Sequence, residues 1–282
     1  MKSIQDTYKL YNGVEIPCVG LGTWQSSNET AKLSVLAALS HGYKLIDTAA
    51  AYGNELGVGA GLKASGLKRE EYFVTSKLRN ANHGYEATME AFELTIKKLG
   101  VDYLDLYLIH WPNPVQFRGI WKTAMQETWR AFEDLYKAKK IRAIGVSNFM
   151  PHHIEALMET AEIKPMVNQL KLCPGIDQPE IVKYCRENDI VVEAYSPFGT
   201  GLIFDNEVMQ NLAKKYNKTI AQICLRWCLQ NDFVSLPKSA NPIRIKDNTD
   251  IFDFELSAED MDLIASLSGS CGEAPDPDTI TF

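Results

Sequence analysis

Short runs of apolar, β-branched and aromatic residues alternate along this 282-residue chain with longer amphipathic stretches. Eight runs read as strands: Cys18–Leu21, Tyr43–Asp47, Tyr72–Ser76, Leu104–Ile109, Arg142–Val146, Val167–Gln169, Ile190–Ala194 and Val234–Leu236. Several lack a clean apolar/polar alternation, as strands covered on both faces do. Between them Met89, Phe92, Ile96 and Leu99 recur at helical spacing, as do Met125, Trp129, Phe132 and Tyr136. Thr219 and Gln222 have capping-box spacing, and Ile220, Ile223, Cys224, Trp227 and Cys228 follow as one stripe. Strand and helix repeated in this way predict an α/β protein, a closed (β/α)8 TIM barrel. Pattern alone leaves a doubly wound sheet open.

Two segments fall outside the repeat. Tyr8–Leu10 and Val14–Ile16 flank Asn12-Gly13, which predicts an N-terminal β-hairpin with a tight turn. Residues 1–17 would then cap the bottom of the barrel. Residues 269–282 combine Gly, Pro, Asp and Cys without periodicity and read as a short C-terminal loop or flap. With no linker or strong internal repeat, a single domain over 1–282 is expected.

Composition narrows the function classes. With 29 Lys+Arg against 36 Asp+Glu, the net charge of −7 argues against a broad nucleic-acid surface. No apolar run approaches the roughly 18 residues that would span a bilayer, so no membrane association is expected. The start MKSIQDTYKL lacks the apolar core of a secretory signal. Six cysteines without a CxxC suggest reduced thiols and a cytoplasmic protein. A monomer is the default, since no coiled coil or assembly segment stands out.

In such a barrel, chemistry gathers where strands end and βα loops begin. Asp47 closes the second strand, and Tyr52 follows five residues on in DTAAAY. Lys77 closes the third in FVTSK, and His110 closes the fourth in YLDLYLIHWP. A tyrosine near pKa 10 is a poor acid or base at neutral pH. A neighbouring ammonium favours the phenolate and lowers that pKa, and a carboxylate can hold the lysine charged. A histidine beside them can hydrogen-bond a substrate oxygen. Taken singly, each residue also has a structural explanation: a helix cap, a packing ring, a solvated lysine, a rim histidine. Their joint placement at the ends of consecutive strands favours function.

Two patterns are decoys. Gly57, Gly59 and Gly61 suggest a dinucleotide fingerprint, but Leu62 leaves Gly-x-Gly-x-x-Gly incomplete, and a helix packed close to its neighbours is the better reading. Cys224 and Cys228 share an apolar stripe with Trp227 and read as core, with no histidine pattern to support a metal site.

Six strings in order, GLGTW at 20–24, DTAAAYGNE at 47–55, IHWP at 109–112, GVSNF at 145–149, AYSPFG at 194–199 and PKSANPIRIKDN at 237–248, make the chain resemble an aldo-keto reductase over essentially its whole length. The small prokaryotic-type reductases, diketogluconate-reductase-like members among them, are the most similar group. The resemblance implies a catalytic tetrad of Asp47, Tyr52, Lys77 and His110. Tyr52 would be the general acid, Lys77 bridged to Asp47 would lower its pKa, and His110 would orient the carbonyl. The implied cofactor is NADPH (NADP+), with NADH weaker. Ser147, Asn148 and Gln169 match the grip on the carboxamide, and Tyr195 matches the ring stacked on the nicotinamide. Ser196, Phe198 and Gly199 match the pyrophosphate side. Lys238, Ser239 and Arg244 match a 2′-phosphate site, with Asn248 near the adenine. Gly22, Thr23 and Asp47 belong to the same cofactor set.

Trp24 and Trp111 would line a carbonyl pocket whose polar end is Tyr52 and His110. Compact loops suggest an open pocket for small aldehydes, dicarbonyls or keto-sugar acids. Two other functions stay open at this level: a nonenzymatic NADPH-binding or regulatory barrel, and a barrel enzyme using Lys77 for Schiff-base chemistry.

Overall fold

The computed structural model describes residues 1–282. A hairpin of β1 (Thr7–Lys9) and β2 (Glu15–Pro17) precedes eight parallel strands. These are β3 (Gly20–Gly22), β4 (Leu45–Asp47), β5 (Phe73–Leu78), β6 (Leu104–Ile109), β7 (Ile141–Ser147), β8 (Val167–Lys171), β9 (Val191–Tyr195) and β10 (Val234–Leu236). Each pairs with the next in chain order. The ring closes through a parallel bridge between Val19 and Ser235 and a hydrogen bond from the Gly22 N–H to the Pro237 carbonyl. Closure decides for the barrel over the doubly wound sheet.

Helices α1 (Asn28–Ser40), α2 (Glu55–Ala64), α3 (Tyr85–Leu99), α4 (Trp121–Lys137), α5 (Pro151–Met158) and α6 (Pro179–Glu187) fill the connections up to β9. Two more, α7 (Glu207–Tyr216) and α8 (Ile220–Gln230), lie between β9 and β10; α9 (Pro242–Asp247) and α10 (Ala258–Ala265) follow. No helix is long and apolar enough to cross a membrane.

All eight expected strands form, with boundaries shifted by a few residues. Every residue of β6 is buried, which explains why it is apolar on both faces but for one acid. Its one acid, Asp105, is held by Arg69 and Arg142, each at 2.6 Å. Thr219 and Gln222 make the reciprocal capping-box bonds at the start of α8. Cys224 and Cys228 are core residues, and all six thiols are buried and free.

The glycines of α2 serve close packing. A Cβ on Gly57 would sit 2.1 Å from the Asn28 carbonyl oxygen, and one on Gly59 would sit 2.4 Å from that of Leu99. Only hydrogen fits there, so α2 can lie directly against the start of α1 and the end of α3.

The hairpin turn is longer than the Asn-Gly pair suggests. Tyr8 pairs with Ile16, and the Leu10 N–H donates to Val14 across a three-residue loop. Tyr11 and Asn12 make the turn, and Gly13 follows in the left-handed region at φ +89°. The hairpin lies across the N-terminal ends of the barrel strands. Tyr11 and Asn12 donate to the carbonyls of Lys164 and Arg142, beside the starts of β8 and β7.

The C-terminal tail has no regular structure but is fastened. Asp278 accepts hydrogen bonds from Asn113 at 2.9 Å and from the Nε2 atoms of His152 and His153 at 3.0 Å. The Met150 N–H donates to His153 Nδ1, so the neutral ring carries its proton on Nε2. That tautomer makes the trio a clasp; a metal ion would need the same Nε2 lone pair. Arg118 donates to the Ile280 carbonyl, and Phe282 packs edge-on against Trp111 with centroids 5.4 Å apart.

Candidate active site

The C-terminal ends of the strands open onto a cavity of about 960 Å³. Asp47, the last residue of β4, and Tyr52, in the short 3-10 turn after it, stand on one wall. Lys77 is the penultimate residue of β5, and His110 directly follows β6. The structure therefore brings together the four residues that the strand ends single out.

Lys77 is wholly buried behind this wall and does not line the cavity. Its ammonium donates to both Asp47 carboxylate oxygens at 2.7 Å, to the Thr48 carbonyl at 3.1 Å and to the Tyr52 hydroxyl at 3.3 Å. Burial alone would pull the ammonium down, yet Asp47, Tyr52 and Glu193 outweigh it and hold Lys77 above its ordinary value. An ammonium engaged by four oxygens and set back from the cavity is poorly placed to attack a carbonyl, which disfavours the Schiff-base reading.

Burial pushes the Tyr52 phenol up and Lys77 pulls it down, the direction expected of that pair, with burial ahead, so the net shift is above the ordinary tyrosine value. Tyr52 is thus a protonated hydroxyl at neutral pH, with the Lys77 charge beside it to receive the developing phenolate. His110 meets Tyr52 ring edge to face at 5.8 Å. Burial and then Lys77 drive its imidazole down to about 3, so it is neutral at working pH and can donate one N–H.

A second polar layer runs around the wall. Gln169 Nε2 donates to Asp47 at 3.0 Å and to Glu193 at 2.8 Å. Tyr195 donates to Asn148 Oδ1 at 2.9 Å, while Asn148 Nδ2 donates to the His110 carbonyl at 3.1 Å. Asn148 is held at φ +61°, in the left-handed region. Ser147 donates to the Gln169 carbonyl at 2.9 Å. Further along the cavity lie Ser196 and Phe198, then Lys238, Ser239, Arg244 and Asn248. Neither Lys238 nor Arg244 has a carboxylate partner, so two cations face the cavity unpaired, while the Ser239 hydroxyl between them accepts from the Asn241 N–H at 3.1 Å.

Gly22, Trp24 and Trp111 also line the cavity. Thr23 and Gly199 do not. Thr23 is buried and donates its hydroxyl to the Asp47 carbonyl, and Gly199 packs against Cys271. Each supports the wall from behind.

The same architecture recurs among known proteins. Residues 18–268 match the Aldo/keto reductase family model. The chain belongs to the aldo/keto reductase family. It is 52% identical over 281 residues to the glyoxal reductase of Bacillus subtilis (strain 168), covering 99% of each chain. Among solved structures, MGS-M4, an aldo-keto reductase from a Medee basin deep-sea metagenome library, superposes with a TM-score of 0.92 at 45% identity, covering 98% of this chain and 100% of that one. A variant of Gox0644 in complex with NADPH superposes with a TM-score of 0.91 at 36% identity, covering 99% of both.

Sequence reasoning passed over several residues of this aldo/keto reductase's site. Glu193 sits in the middle of an apolar strand, VVEAY, where a charged residue is itself a signal. Lys171 lies two positions beyond Gln169 on β8 and so faces the same cavity. Gln25, Thr200 and Phe204 also line the cavity, though no local pattern marks them.

Proposed function

We propose that this chain is an NADPH-dependent reductase that converts small aldehydes and ketones to alcohols, with Tyr52 as proton donor. The observation that carries the reading is the single cavity: a buried Tyr52–Lys77–Asp47 cluster with neutral His110 at one end, and the unpaired Lys238 and Arg244 at the other. Those residues fit a dinucleotide 2′-phosphate. Lys238, Ser239 and Arg244 offer charge-assisted hydrogen bonds to a dianionic group. Gln169, Asn148 and Ser147 would hold the carboxamide, with the Tyr195 ring under the nicotinamide. Ser196 and Phe198 would follow the pyrophosphate, and Asn248 would meet the adenine. When bound, NADPH supplies the hydride.

The remaining steps belong to the chain. His110 donates its N–H to the substrate carbonyl oxygen and aims it at Tyr52. Tyr52 gives its proton to that oxygen as the carbon is reduced, and Lys77 steadies the phenolate. Asp47 keeps Lys77 charged and in place. Position, proton supply and a dry polar wall are the protein's contribution. Trp24, Trp111 and Phe282 bound the space beside Tyr52 with apolar surface, which suits a small, compact carbonyl. The glyoxal reductase relative supports dicarbonyls first within that class.

The test is NADPH absorbance loss with glyoxal, methylglyoxal, simple aldehydes and keto-sugar acids. Substrate-dependent loss that falls by about 10²–10⁴ in Tyr52→Phe, with NADPH affinity retained, supports the reading. Turnover that survives Tyr52→Phe overturns the proton donor. No turnover across the panel, by a folded protein that binds NADPH, favours a cofactor-binding role instead.

A further inference from the structure

We propose that Glu193 is a positioning residue that locks the Gln169 carboxamide with its carbonyl oxygen toward the cavity, so that the wall accepts a hydrogen bond from a ligand amide. The inference rests on the reading of the cavity as an NADPH site and deepens it. It assigns a task to a buried carboxyl that the proposed chemistry does not use.

Gln169 and Glu193 are register partners on the adjacent parallel strands β8 and β9, so their side chains share a face. That face is the barrel interior, because Gln169 reaches Asp47 across it. An amide nitrogen carries two hydrogens. One goes to Asp47 at 3.0 Å and the other to Glu193 at 2.8 Å. Gln169 Oε1 has no protein partner and is not sealed from the cavity that the residue lines.

Asp47 alone would not enforce this orientation. Its two oxygens are already taken by Lys77, and a turn of the Gln169 side chain would let the second N–H point into the cavity. Glu193 makes that turn costly. Its carboxyl is fully buried, and Oε2 accepts only from Gln169. Burial, with Asp47 adding to it, pushes Glu193 up to about 8, and the same Oε2 accepts in either protonation state.

The neighbouring groups already have protein partners: Asn148 bonds Tyr195, Ser147 and His110, and Ser147 donates to the Gln169 backbone. Of the three residues assigned to the carboxamide, Gln169 is therefore the one whose acceptor oxygen has no protein partner at all and is free for the N–H of a nicotinamide carboxamide.

The experiment measures dissociation constants for NADPH and for 2′-phosphoadenosine diphosphoribose, which keeps the phosphate and adenine ends but lacks the nicotinamide. Glu193→Met removes the acceptor at similar volume, and Glu193→Gln retains an acceptor oxygen. Glu193→Met should weaken NADPH by about 5–30-fold, the cost of one unpaired buried N–H. The fragment should stay within about twofold, and Glu193→Gln should bind NADPH close to wild type, since its oxygen still accepts. Unchanged NADPH affinity in Glu193→Met, or equal loss of both ligands, overturns the proposal.

Should Glu193→Met fail to fold, the Gln169 side-chain amide signal decides. In the wild-type protein it should move as pH crosses about 8, and in Glu193→Gln it should not. Lys77, Tyr52 and Tyr195 are pushed above that range and His110 far below it. A Gln169 amide signal that is the same in the wild-type protein and in Glu193→Gln at every pH overturns the contact. A wild-type protein that binds neither ligand defeats the NADPH reading instead, and leaves this amide measurement standing.

Discussion

Replacing Lys77 by methionine keeps the length of the side chain and removes its charge from a fully buried position. The ammonium has four oxygen contacts, at 2.7, 2.7, 3.1 and 3.3 Å. Two consequences separate cleanly. Asp47 is left buried with only Gln169 to satisfy it, and removing one partner of a buried pair costs about 3–5 kcal/mol. For a chain of this size that lowers Tm by about 5–8 °C. Tyr52 meanwhile loses the only cation near its oxygen. At 3.3 Å and an effective dielectric near 20, an ammonium attracts a phenolate by about 5 kcal/mol before solvation is counted. The fraction realised in proton transfer is what positioned acid catalysis supplies, so kcat should fall by about 10²–10⁴. Lys77 does not line the cavity, so NADPH affinity should change little. Stopped-flow NADPH oxidation, fluorescence titration and a thermal melt read the three quantities separately. A folded Lys77→Met protein with turnover within threefold of wild type would refute the role given to the Lys77–Tyr52 contact.

Arg244→Ala should weaken NADPH by about 10–100-fold while leaving NADH within about twofold, because only the former carries the 2′-phosphate; equal losses measured by titration would remove Arg244 from that role. Gly59→Ala forces a Cβ to within 2.4 Å of the Leu99 carbonyl, and should cost about 1–3 kcal/mol in a denaturant titration without altering NADPH affinity. A loss of NADPH affinity there, with stability intact, would revive the glycine fingerprint. Glu193 holds its proton up to about pH 8 in the folded protein, against an ordinary value of 4.5. Between those values the native state binds more protons than the unfolded chain, so this group makes stability fall as pH rises. Glu193→Gln should therefore gain on wild type from pH 5 to 8, by up to a few kcal/mol, and hold that gain above 8. A Tm difference independent of pH would show that Glu193 is not protonated in the native protein.

The order of elements was written in the sequence. Largely apolar strands such as LDLYLI suit burial on both faces of a covered parallel sheet, and the amphipathic stripes between them bury only one side. Asp47, Tyr52, Lys77 and His110 were visible as polar residues at the ends of such runs, and the string matches assigned them a common purpose. The incomplete glycine fingerprint is a packing device, since Gly57 and Gly59 make room for neighbouring backbone.

Tertiary structure decided what depends on distance and surroundings. Closure rests on the Val19–Ser235 bridge and the Gly22–Pro237 hydrogen bond between the first and last barrel strands, which no local pattern encodes. The phenol of Tyr52 shifts upward because burial outweighs Lys77, a balance set by everything packed around it. Glu193 reads in the sequence as one charge within VVEAY. It joins the site only because β8 and β9 align it with Gln169, while barrel closure brings Gln169 to Asp47, 122 positions away in the chain. Local pattern determines which residues point inward; the register of strands far apart in the chain determines which of them meet.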